Sequence, residues 1–313
     1  MIASLAIQHS KRLLWSVAPG VMRFKVSRRT HWKWSIGILV GDSPLQLNAP
    51  RQVKNPVLTC DDISDVHAGF VADPFMLRRD GIWYMFFEVL NLKTEMGEIG
   101  LATSRDGFSW EYQGIVLEGS RHLSYPHVFQ FEGDCYMVPE SWKSGAATLY
   151  RADQFPWRWS RVTNLLEGYR FADSSIFHHQ GRWWMFSETS TPGHHGILKL
   201  FGSERPDGPW VEHPASPVVV GDICASRPAG RVIELDGRLI RFSQDPPPRY
   251  GTAVHAFEIL ELTPDVYRER PLSRSRVLGP GEESWNRDGM HHLDAHVLDD
   301  GSWIACVDGF RWV

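Results

Sequence analysis

Five segments of this sequence place polar side chains on both sides of a turn glycine at nearly constant spacing. A carboxylate or an amide follows each glycine by seven residues, and another polar group precedes it by about eight. Acids that lie close together raise one another's pKa, which is the property that a general acid requires. The five pairs, in chain order, are Asp73 with Glu88, Tyr125 with Glu140, Asp173 with Glu188, Arg227 with Gln244, and His292 with Asp308.

The spacing indicates which element must carry each pair. Asp73, Tyr125 and Asp173 lie eight residues before their glycines, whereas Arg227 and His292 lie one or two residues further back. Alternating apolar residues on either side of a tight glycine turn predict a β-hairpin. In an antiparallel hairpin these offsets bring the two strand ends together, so each polar pair is expected at the open end of its hairpin.

The hairpins recur at intervals that indicate the fold. The turn glycines at 81, 133, 181, 237 and 301 are 52, 48, 56 and 64 residues apart, which is typical of propeller blades. We therefore predict an all-β fold, a single five-bladed β-propeller over residues 31–313, with the polar pairs around one mouth of its channel. Because exposed sheet edges must be covered, Ile36–Leu39 is expected to join the last blade and close the ring.

Composition narrows the classes of function. The net charge of −4 gives no reason to expect nucleic acid as a partner. The four cysteines show no metal-binding spacing, and no cofactor is expected. Asp73, Glu88 and Asp173 offer oxygen ligands for a metal ion, but no dense acidic loop demands one, and no metal is predicted.

Residues 1–30 differ from the rest of the chain. They carry six basic residues and no acid, and Pro19-Gly20 interrupts their apolar run, so a secretory signal is not expected. One interpretation is a basic amphipathic segment that contacts an anionic membrane or a partner protein. The other, which we favour, is a poorly ordered basic leader. The expected location is cytoplasmic, with membrane association as the alternative.

The first and third hairpins carry a resemblance to known enzymes. Ala72-Asp73-Pro74-Phe75 and Asp173 are similar to the blade openings of five-bladed glycoside hydrolases of the arabinanase/β-xylosidase and invertase type. The resemblance implies that Asp73 is a base or nucleophile and that Asp173 tunes the pair or holds the sugar. In those enzymes a glutamate opening the fourth blade donates the proton, but this sequence has Arg227 there, which cannot act as a general acid. Either Glu188 or Glu140 replaces it, or the chain does not hydrolyse glycosides in this way.

A closer resemblance covers about residues 35–310. The sequence is similar to the N-terminal propeller of plant glucosamine inositolphosphorylceramide transferases and their bacterial relatives. The motifs that carry it are Phe70–Phe75, Tyr125-Pro126-His127, Val138-Pro139-Glu140-Ser141, Phe171–Ile176, Arg227-Pro228-Ala229-Gly230, Ser243-Gln244-Asp245 and Tyr250-Gly251. With these motifs, the expected catalytic residues are Asp73, Asp173 and Glu188. The expected substrate-binding residues are Glu88, Tyr125, His127, Glu140, Arg227, Gln244, Asp245, Tyr250, His292 and Asp308.

Three functions remain open at this stage. The first is a carbohydrate-active enzyme acting on a glycan, sugar phosphate, nucleotide-sugar or glycolipid, in which Arg227 and His292, near Arg249, bind an anionic group. The second is a non-catalytic glycan or glycolipid recognition module that works with a separate glycosyltransferase. The third, a protein-interaction propeller, is less favoured because a ring of polar pairs offers a concave pocket. Against all three, the polar groups could simply cap inner strands and bind channel water.

Overall fold

The computed structural model describes residues 32–190 and 196–313, and these residues form five antiparallel sheets arranged as a β-propeller. The predicted all-β, five-bladed fold is confirmed. The basic segment 1–30 lies outside the described residues, so its predicted membrane or partner contact stays a prediction. Within the described ranges, no helix is long and apolar enough to cross a membrane.

The strands follow one another blade by blade. The chain enters through β1 (Trp32–Ser43) and β2 (Gln46–Asn48), then makes a 3-10 turn at Cys60–Asp62. Blade one contains β3 (Ala68–Arg79), β4 (Ile82–Asn91), β5 (Met96–Ser104) and β6 (Glu111–Leu117). Blade two contains β7 (Ser124–Phe131), β8 (Asp134–Glu140), β9 (Ala146–Gln154) and β10 (Arg158–Glu167), with a 3-10 turn at Trp142–Ser144.

Blade three contains β11 (Arg170–His179), β12 (Arg182–Ser190) and β13 (Ile197–Ser203), and both β14 (Val211–Glu212) and β15 (Val219–Val220) pair with β13. Blade four contains β16 (Ile233–Leu235), β17 (Arg238–Asp245), β18 (Ala253–Leu262) and β19 (Tyr267–Leu278). Blade five contains β20 (Leu293–Val297) and β21 (Trp303–Trp312), and it is completed by β1 and β2 in the order β2-β1-β21-β20.

The ring closes through β1, as the sequence predicts. β1 pairs antiparallel with β21 from Trp32↔Trp312 to Gly41↔Trp303. Side chains on a strand alternate between its two faces. Ile36 and Ile38 accordingly pack into the core between blades five and one, while Leu39 packs into the core between blades four and five. One strand thus joins three blades.

The hydrophobic core is divided among the wedges between neighbouring blades. Phe75 of blade one packs with Val128 of blade two, and Phe129 of blade two packs with Trp183 of blade three. Trp159 meets Phe86 edge-on at 5.4 Å between ring centroids. Burying a side chain of this size stabilises the fold by about 1.5–3 kcal/mol. The blades are therefore held at fixed angles, and the inner strands are held with them.

Candidate functional site

The polar residues that open blades one, two and three share one backbone conformation. Asp73, Tyr125 and Asp173 have φ of +52°, +46° and +49°. At each of them the pairing of the two inner strands shifts in register. This is a β-bulge, which re-aims a side chain that would otherwise lie in the sheet. Positive φ is uncommon outside glycine and concentrates at functional positions. The equivalence predicted from spacing alone is therefore present in the backbone.

The opposite strand ends lie where the spacing places them. Glu88 pairs with Ala72, Glu140 with Ser124, and Glu188 with Ala172, each one residue from the bulge. In blade four the Gln244 N–H donates to the Arg227 carbonyl at 2.8 Å, and in blade five the His292 N–H donates to the Asp308 carboxylate at 3.1 Å. The five predicted pairs are thus real neighbours.

Side chains from several blades converge into what we call the central cluster. Its members are Asp73, Glu140, Asp173, Arg227, Gln244, Tyr250, His291 and Asp308. It has two halves, one around Asp73 and one around Asp173.

In the first half of the central cluster, Asp73 lies next to His291. Asp308 accepts the backbone N–H groups of Asp73, His291 and His292, each at 3.1 Å, and also contacts His291 Nδ1 at 2.8 Å. His291 Nε2 then lies 3.8 Å from Asp73 Oδ1 and 3.2 Å from the Tyr250 hydroxyl. The His291 ring stacks on Trp34 at 4.2 Å between centroids. In the described part of the chain, no side chain hydrogen-bonds the Asp73 carboxylate, which is 10% exposed.

Asp173 lies in a half that is fully paired. Its Oδ2 accepts from Arg227 Nε and, at 2.7 Å, from Gln244 Nε2. Its backbone N–H donates to Glu140 Oε2 at 3.0 Å, and that oxygen lies 3.5 Å from Arg227 Nη2. The Arg227 guanidinium also lies over the Tyr250 ring, with 5.4 Å from Cζ to the centroid. Arg227 thus pairs with Asp173 and contacts Glu140, and the anion-binding role predicted for it stays a prediction.

These surroundings shift the pKa values of the buried acids in different directions. Burial raises the pKa of the Glu140 carboxyl well above its usual value, and the charge of Asp173 raises it further. Burial would also raise the pKa of Asp173, but the Arg227 charge outweighs it and the net shift is downward. As pH rises, Asp173 therefore loses its proton before Glu140 does. Burial likewise raises the pKa of Asp73 well above its usual value, although His291 opposes the shift.

Two predicted site residues contact groups outside the central cluster. Glu88 Oε1 lies 2.9 Å from Nε2 of His122, whose Nδ1 accepts the Gly97 N–H. Asp245 Oδ2 contacts His255 at 2.9 Å and Arg276, both on the outer strands of its own blade. Glu188 is half-buried, and its charge acts on Arg227. The roles predicted for these three residues stay predictions.

Three other predicted residues are fully buried. The Tyr125 hydroxyl accepts the Gly230 N–H at 2.7 Å and lies 2.8 Å from Ser175 Oγ, so it ties blade two to blades three and four. Gly230 has φ of +130°, and a Cβ there would lie 1.8 Å from the Leu293 carbonyl oxygen. His127 and His292 both pack against Phe75, at 4.8 and 4.6 Å between ring centroids. His292 also lies 5.3 Å from the Tyr125 ring, and the anion-binding role predicted for it with Arg227 stays a prediction.

Sequence reasoning missed His291 and a buried ion pair. In blade five the spacing does not fix which residue opens the first strand, and the sequence predicts His292. In the structure it is His291 that lies between Asp73 and Asp308 and contacts both. Arg231 Nε donates to Asp294 Oδ1 at 2.9 Å, and its Nη2 donates to carbonyls of blades one and two. A charged residue inside the apolar run Leu293-Asp294-Ala295 was a signal, because buried charges are paired. Among the described residues, the ligand atoms of Asp73, His291 and Asp308 lie close enough together for a metal ion, whereas the sequence offered Asp73, Glu88 and Asp173 as possible ligands and predicted no metal.

Fold and central cluster together define a five-bladed propeller with acids from separate blades gathered at its centre. The family model described as "Glucosamine inositolphosphorylceramide transferase 1, N-terminal" matches residues 27–310, and the chain belongs to this family. It is 37% identical over 300 residues to glucosamine inositolphosphorylceramide transferase 1 of Oryza sativa subsp. japonica, covering 89% of this chain. The Arabidopsis thaliana relative of the same name is 37% identical over 298 residues. The chain spans about 40% of the length of these relatives.

Solved structures confirm the fold. A β-1,2-mannobiose phosphorylase from Listeria innocua matches with a TM-score of 0.64 at 12% identity, over 87% of this chain and 96% of that one. Zg3597, a family 117 glycoside hydrolase from Zobellia galactanivorans, matches with a TM-score of 0.54 at 14% identity, over 79% and 88%. At this identity the likeness concerns the fold alone.

Proposed function

We propose that this chain binds a carbohydrate at the channel mouth and catalyses glycosyl transfer to water or to another acceptor. Asp73 acts as the base or nucleophile and Glu140 as the general acid. The observation that carries the proposal is a set of three carboxyl groups in different surroundings: Asp173 is paired with Arg227, Glu140 lies beside Asp173 with a raised pKa, and Asp73 has no hydrogen-bonding side chain among the described residues. Two carboxyl groups in different environments are what glycosyl chemistry uses.

The choice of Glu140 follows from the place of Arg227. The guanidinium occupies the position of the fourth-blade glutamate and holds Asp173 ionised, which in turn favours the protonated form of Glu140. A protonated carboxyl at neutral pH can donate to a leaving-group oxygen. Glu188, the first choice from the sequence, is the alternative acid.

Family and fold support a carbohydrate-related role. The relatives are named glucosamine inositolphosphorylceramide transferase 1, and the structural neighbours include glycoside hydrolases and a phosphorylase. Because the chain spans about 40% of those relatives, the sugar that it handles need not be the one in their name.

Turnover is the direct test. The purified chain is incubated with a panel of aryl glycosides, sugar phosphates and nucleotide-sugars, and released products are detected by mass spectrometry. Asp73→Asn and Glu140→Gln should each reduce turnover by roughly 10²–10⁴-fold. The matched control is Asp80→Asn, the same substitution at the exposed turn of the same hairpin, where asparagine tolerates the positive φ. Turnover by Asp73→Asn within a few-fold of wild type would contradict the assignment.

A second candidate is a recognition module without catalysis. It is favoured by an aromatic rim beside the central cluster: Trp32 meets Trp312 edge-on at 5.2 Å, and Arg249 is exposed with its guanidinium 5.4 Å from the Trp312 ring. Flat aromatic faces contact the apolar faces of sugars, and a guanidinium binds phosphate or carboxylate. A separate glycosyltransferase would then act on the bound glycan, with residues 1–30 contacting a membrane.

Glycan-array binding separates the two candidates. Binding that Trp312→Ala weakens, with no turnover of any bound glycan, would favour recognition. Turnover of an arrayed glycan would exclude recognition as the whole function.

A further inference from the structure

Tyr250 lies between the two halves of the central cluster. Its hydroxyl is 3.2 Å from His291 Nε2, and the Arg227 guanidinium lies over its ring. Burial raises the pKa of this hydroxyl well above its usual value, and the charge of Arg227 opposes the shift, whereas the charges of Asp173 and Asp73 add to it. The hydroxyl therefore keeps its proton beside both halves of the cluster. The side chain is only half-buried, so a ligand can reach it.

Hydrogen bonds from two buried residues lead to this hydroxyl. Asp308 contacts His291 Nδ1 at 2.8 Å, and the Asp308 and His291 side chains are 0% and 3% exposed. Because a carboxylate only accepts hydrogen bonds, this contact places a proton on Nδ1. The His291 ring also stacks on Trp34 at 4.2 Å between centroids, which fixes its plane and directs Nε2 at Tyr250. The interior of blade five thus sets the position of a hydroxyl that blade four carries.

The Tyr250 oxygen keeps a lone pair for a ligand in either protonation state of His291. When the imidazole is neutral, Tyr250 donates to Nε2 and both lone pairs of its oxygen stay free. When the imidazole is protonated, Nε2–H donates to that oxygen, and one lone pair stays free together with the hydroxyl hydrogen. The hydroxyl can therefore accept a hydrogen bond from a ligand whatever charge His291 carries.

The surroundings of this oxygen suit a sugar ring. The rings of Trp34 and Trp32 lie 6.4 and 6.5 Å from the Tyr250 ring between centroids. Asp73 Oδ1 lies 3.8 Å from the same His291 nitrogen that contacts Tyr250. In ligand sites, aromatic side chains supply most of the contact and a few fixed polar groups set the orientation. A sugar hydroxyl bound to Tyr250 is therefore brought next to Asp73.

We infer that Tyr250 accepts a hydrogen bond from a hydroxyl group of the carbohydrate, and that His291, held by Asp308, is a positioning residue that acts on the ligand through Tyr250. The inference rests on the proposed function, because it takes the ligand to be a carbohydrate. Asp308 then orients His291 and does not itself contact the substrate.

The first test compares Tyr250→Phe with wild type on the panel of aryl glycosides, sugar phosphates and nucleotide-sugars. The probe is the panel member that reacts fastest, for which kcat/KM is measured, or, when none reacts, the one that binds most tightly in calorimetry. Loss of one hydrogen bond should weaken kcat/KM or affinity by roughly 3–10-fold. The matched control is Tyr267→Phe, which removes a hydroxyl that donates to Glu269 on the outer strand of the same blade. The control should leave both values unchanged.

A double substitution tests whether His291 acts through Tyr250. Asparagine at position 291 can hydrogen-bond Asp308 from the place of Nδ1 but does not reach the Tyr250 hydroxyl. His291→Asn should therefore cause a loss similar to that of Tyr250→Phe, and the two together should lose no more than the larger single loss. Glutamine places its amide nearer the position of Nε2, so His291→Gln should retain more activity or affinity than His291→Asn. The melting temperature of each variant shows whether the fold is retained.

Deoxy analogues of the probe identify the hydroxyl that binds Tyr250. With wild type, one monodeoxy analogue should lose roughly the same 3–10-fold as the Tyr250→Phe substitution. Tyr250→Phe should not distinguish that analogue from the parent compound, because the hydrogen bond is already absent.

Values for Tyr250→Phe within about twofold of wild type, or an equal loss in Tyr267→Phe, would overturn the inference. Additive losses in the double variant would overturn the role given to His291. If Tyr250→Phe has no effect while Asp73→Asn abolishes turnover, the proposed function stands and this inference fails. If no member of the panel is bound or turned over, both fail.

Discussion

Asp73 and Asp173 occupy equivalent positions in blades one and three, and they differ in nearly every electrostatic respect. Both open an inner hairpin at a bulge with φ near +50°, and both side chains are largely buried. Asp173 accepts from Arg227 and Gln244, whereas Asp73 faces His291 and His292. The pKa is lowered at Asp173 by the Arg227 charge in spite of burial, and raised at Asp73 by burial. A repeated backbone supplies equivalent positions, and the neighbouring blade decides the chemistry of each.

The largest effect on stability is expected when the partner of Asp173 is removed. Arg227→Met leaves a buried carboxylate without its counter-charge and should reduce the free energy of unfolding by about 3–5 kcal/mol. Urea denaturation measures it. The control Arg78→Met breaks an exposed pair with Asp299 and should cost less than about 1 kcal/mol. Equal effects of the two substitutions would mean that the Asp173 half is not held by charge.

Replacing each aspartate by asparagine should change the free energy of unfolding by different amounts. Asp173→Asn loses charge-assisted hydrogen bonds and should cost about 2 kcal/mol at pH 7. A carboxyl whose pKa is raised on folding contributes stability at low pH that is lost as pH rises, so at pH 7 Asp73→Asn should be neutral or stabilising. Urea denaturation of both variants at pH 7 gives the two free energies of unfolding to be compared. A cost at Asp73 as large as that at Asp173 would remove the distinction.

The pH dependence sharpens the contrast at Asp173. Its pKa in the folded chain lies below the ordinary value of 3.8, so its stabilisation is complete above that pH and is lost as pH falls through the folded value. The difference between wild type and Asp173→Asn should therefore shrink below pH 4, by at most about 1.4 kcal/mol per pH unit. A difference that stays constant from pH 7 to pH 3 would contradict the assigned ionisation.

The smallest effect is expected at Tyr125, the corresponding position of blade two. Tyr125→Phe removes the hydroxyl that accepts the Gly230 N–H and should cost about 1–2 kcal/mol, measured by thermal unfolding. Sugar binding should be unchanged in this variant. Loss of binding at unchanged stability would instead support the substrate contact predicted from the sequence.

Much of the fold could be predicted because it repeats. The constant offsets from Gly81, Gly133 and Gly181 reflect the fixed rise of paired strands, and the polar residues that they identified prove to lie at β-bulges. In the described residues of blades four and five, no non-glycine residue with positive φ opens the inner hairpin. The equivalent position is therefore not marked in the same way, and the spacing predicts His292 where His291 makes the contacts.

Contacts between side chains of different blades could not be predicted from the sequence. The contacts of Arg227 with Asp173 and of Arg231 with Asp294 join residues 54 and 63 positions apart, and no local pattern encodes them. The sequence identified Arg227 as unusual, but only its neighbours reveal that it pairs with Asp173. Alternation along β17 separates Gln244, which donates to Asp173, from Asp245, which contacts Arg276 of its own blade, although the motif that carries the resemblance contains both.

The pairing of β1 with β21 has a consequence for biosynthesis. β1 is synthesised before the four blades that separate it from β21, so its pairing with β21 cannot form until those blades have been made. His291, His292 and Asp308 arrive with that same last segment, so a nascent chain holding only the first four blades has Asp73 but not the groups that surround it. Closing the ring and completing the central cluster therefore both wait for β20 and β21, and a product that stops before these strands would lack both.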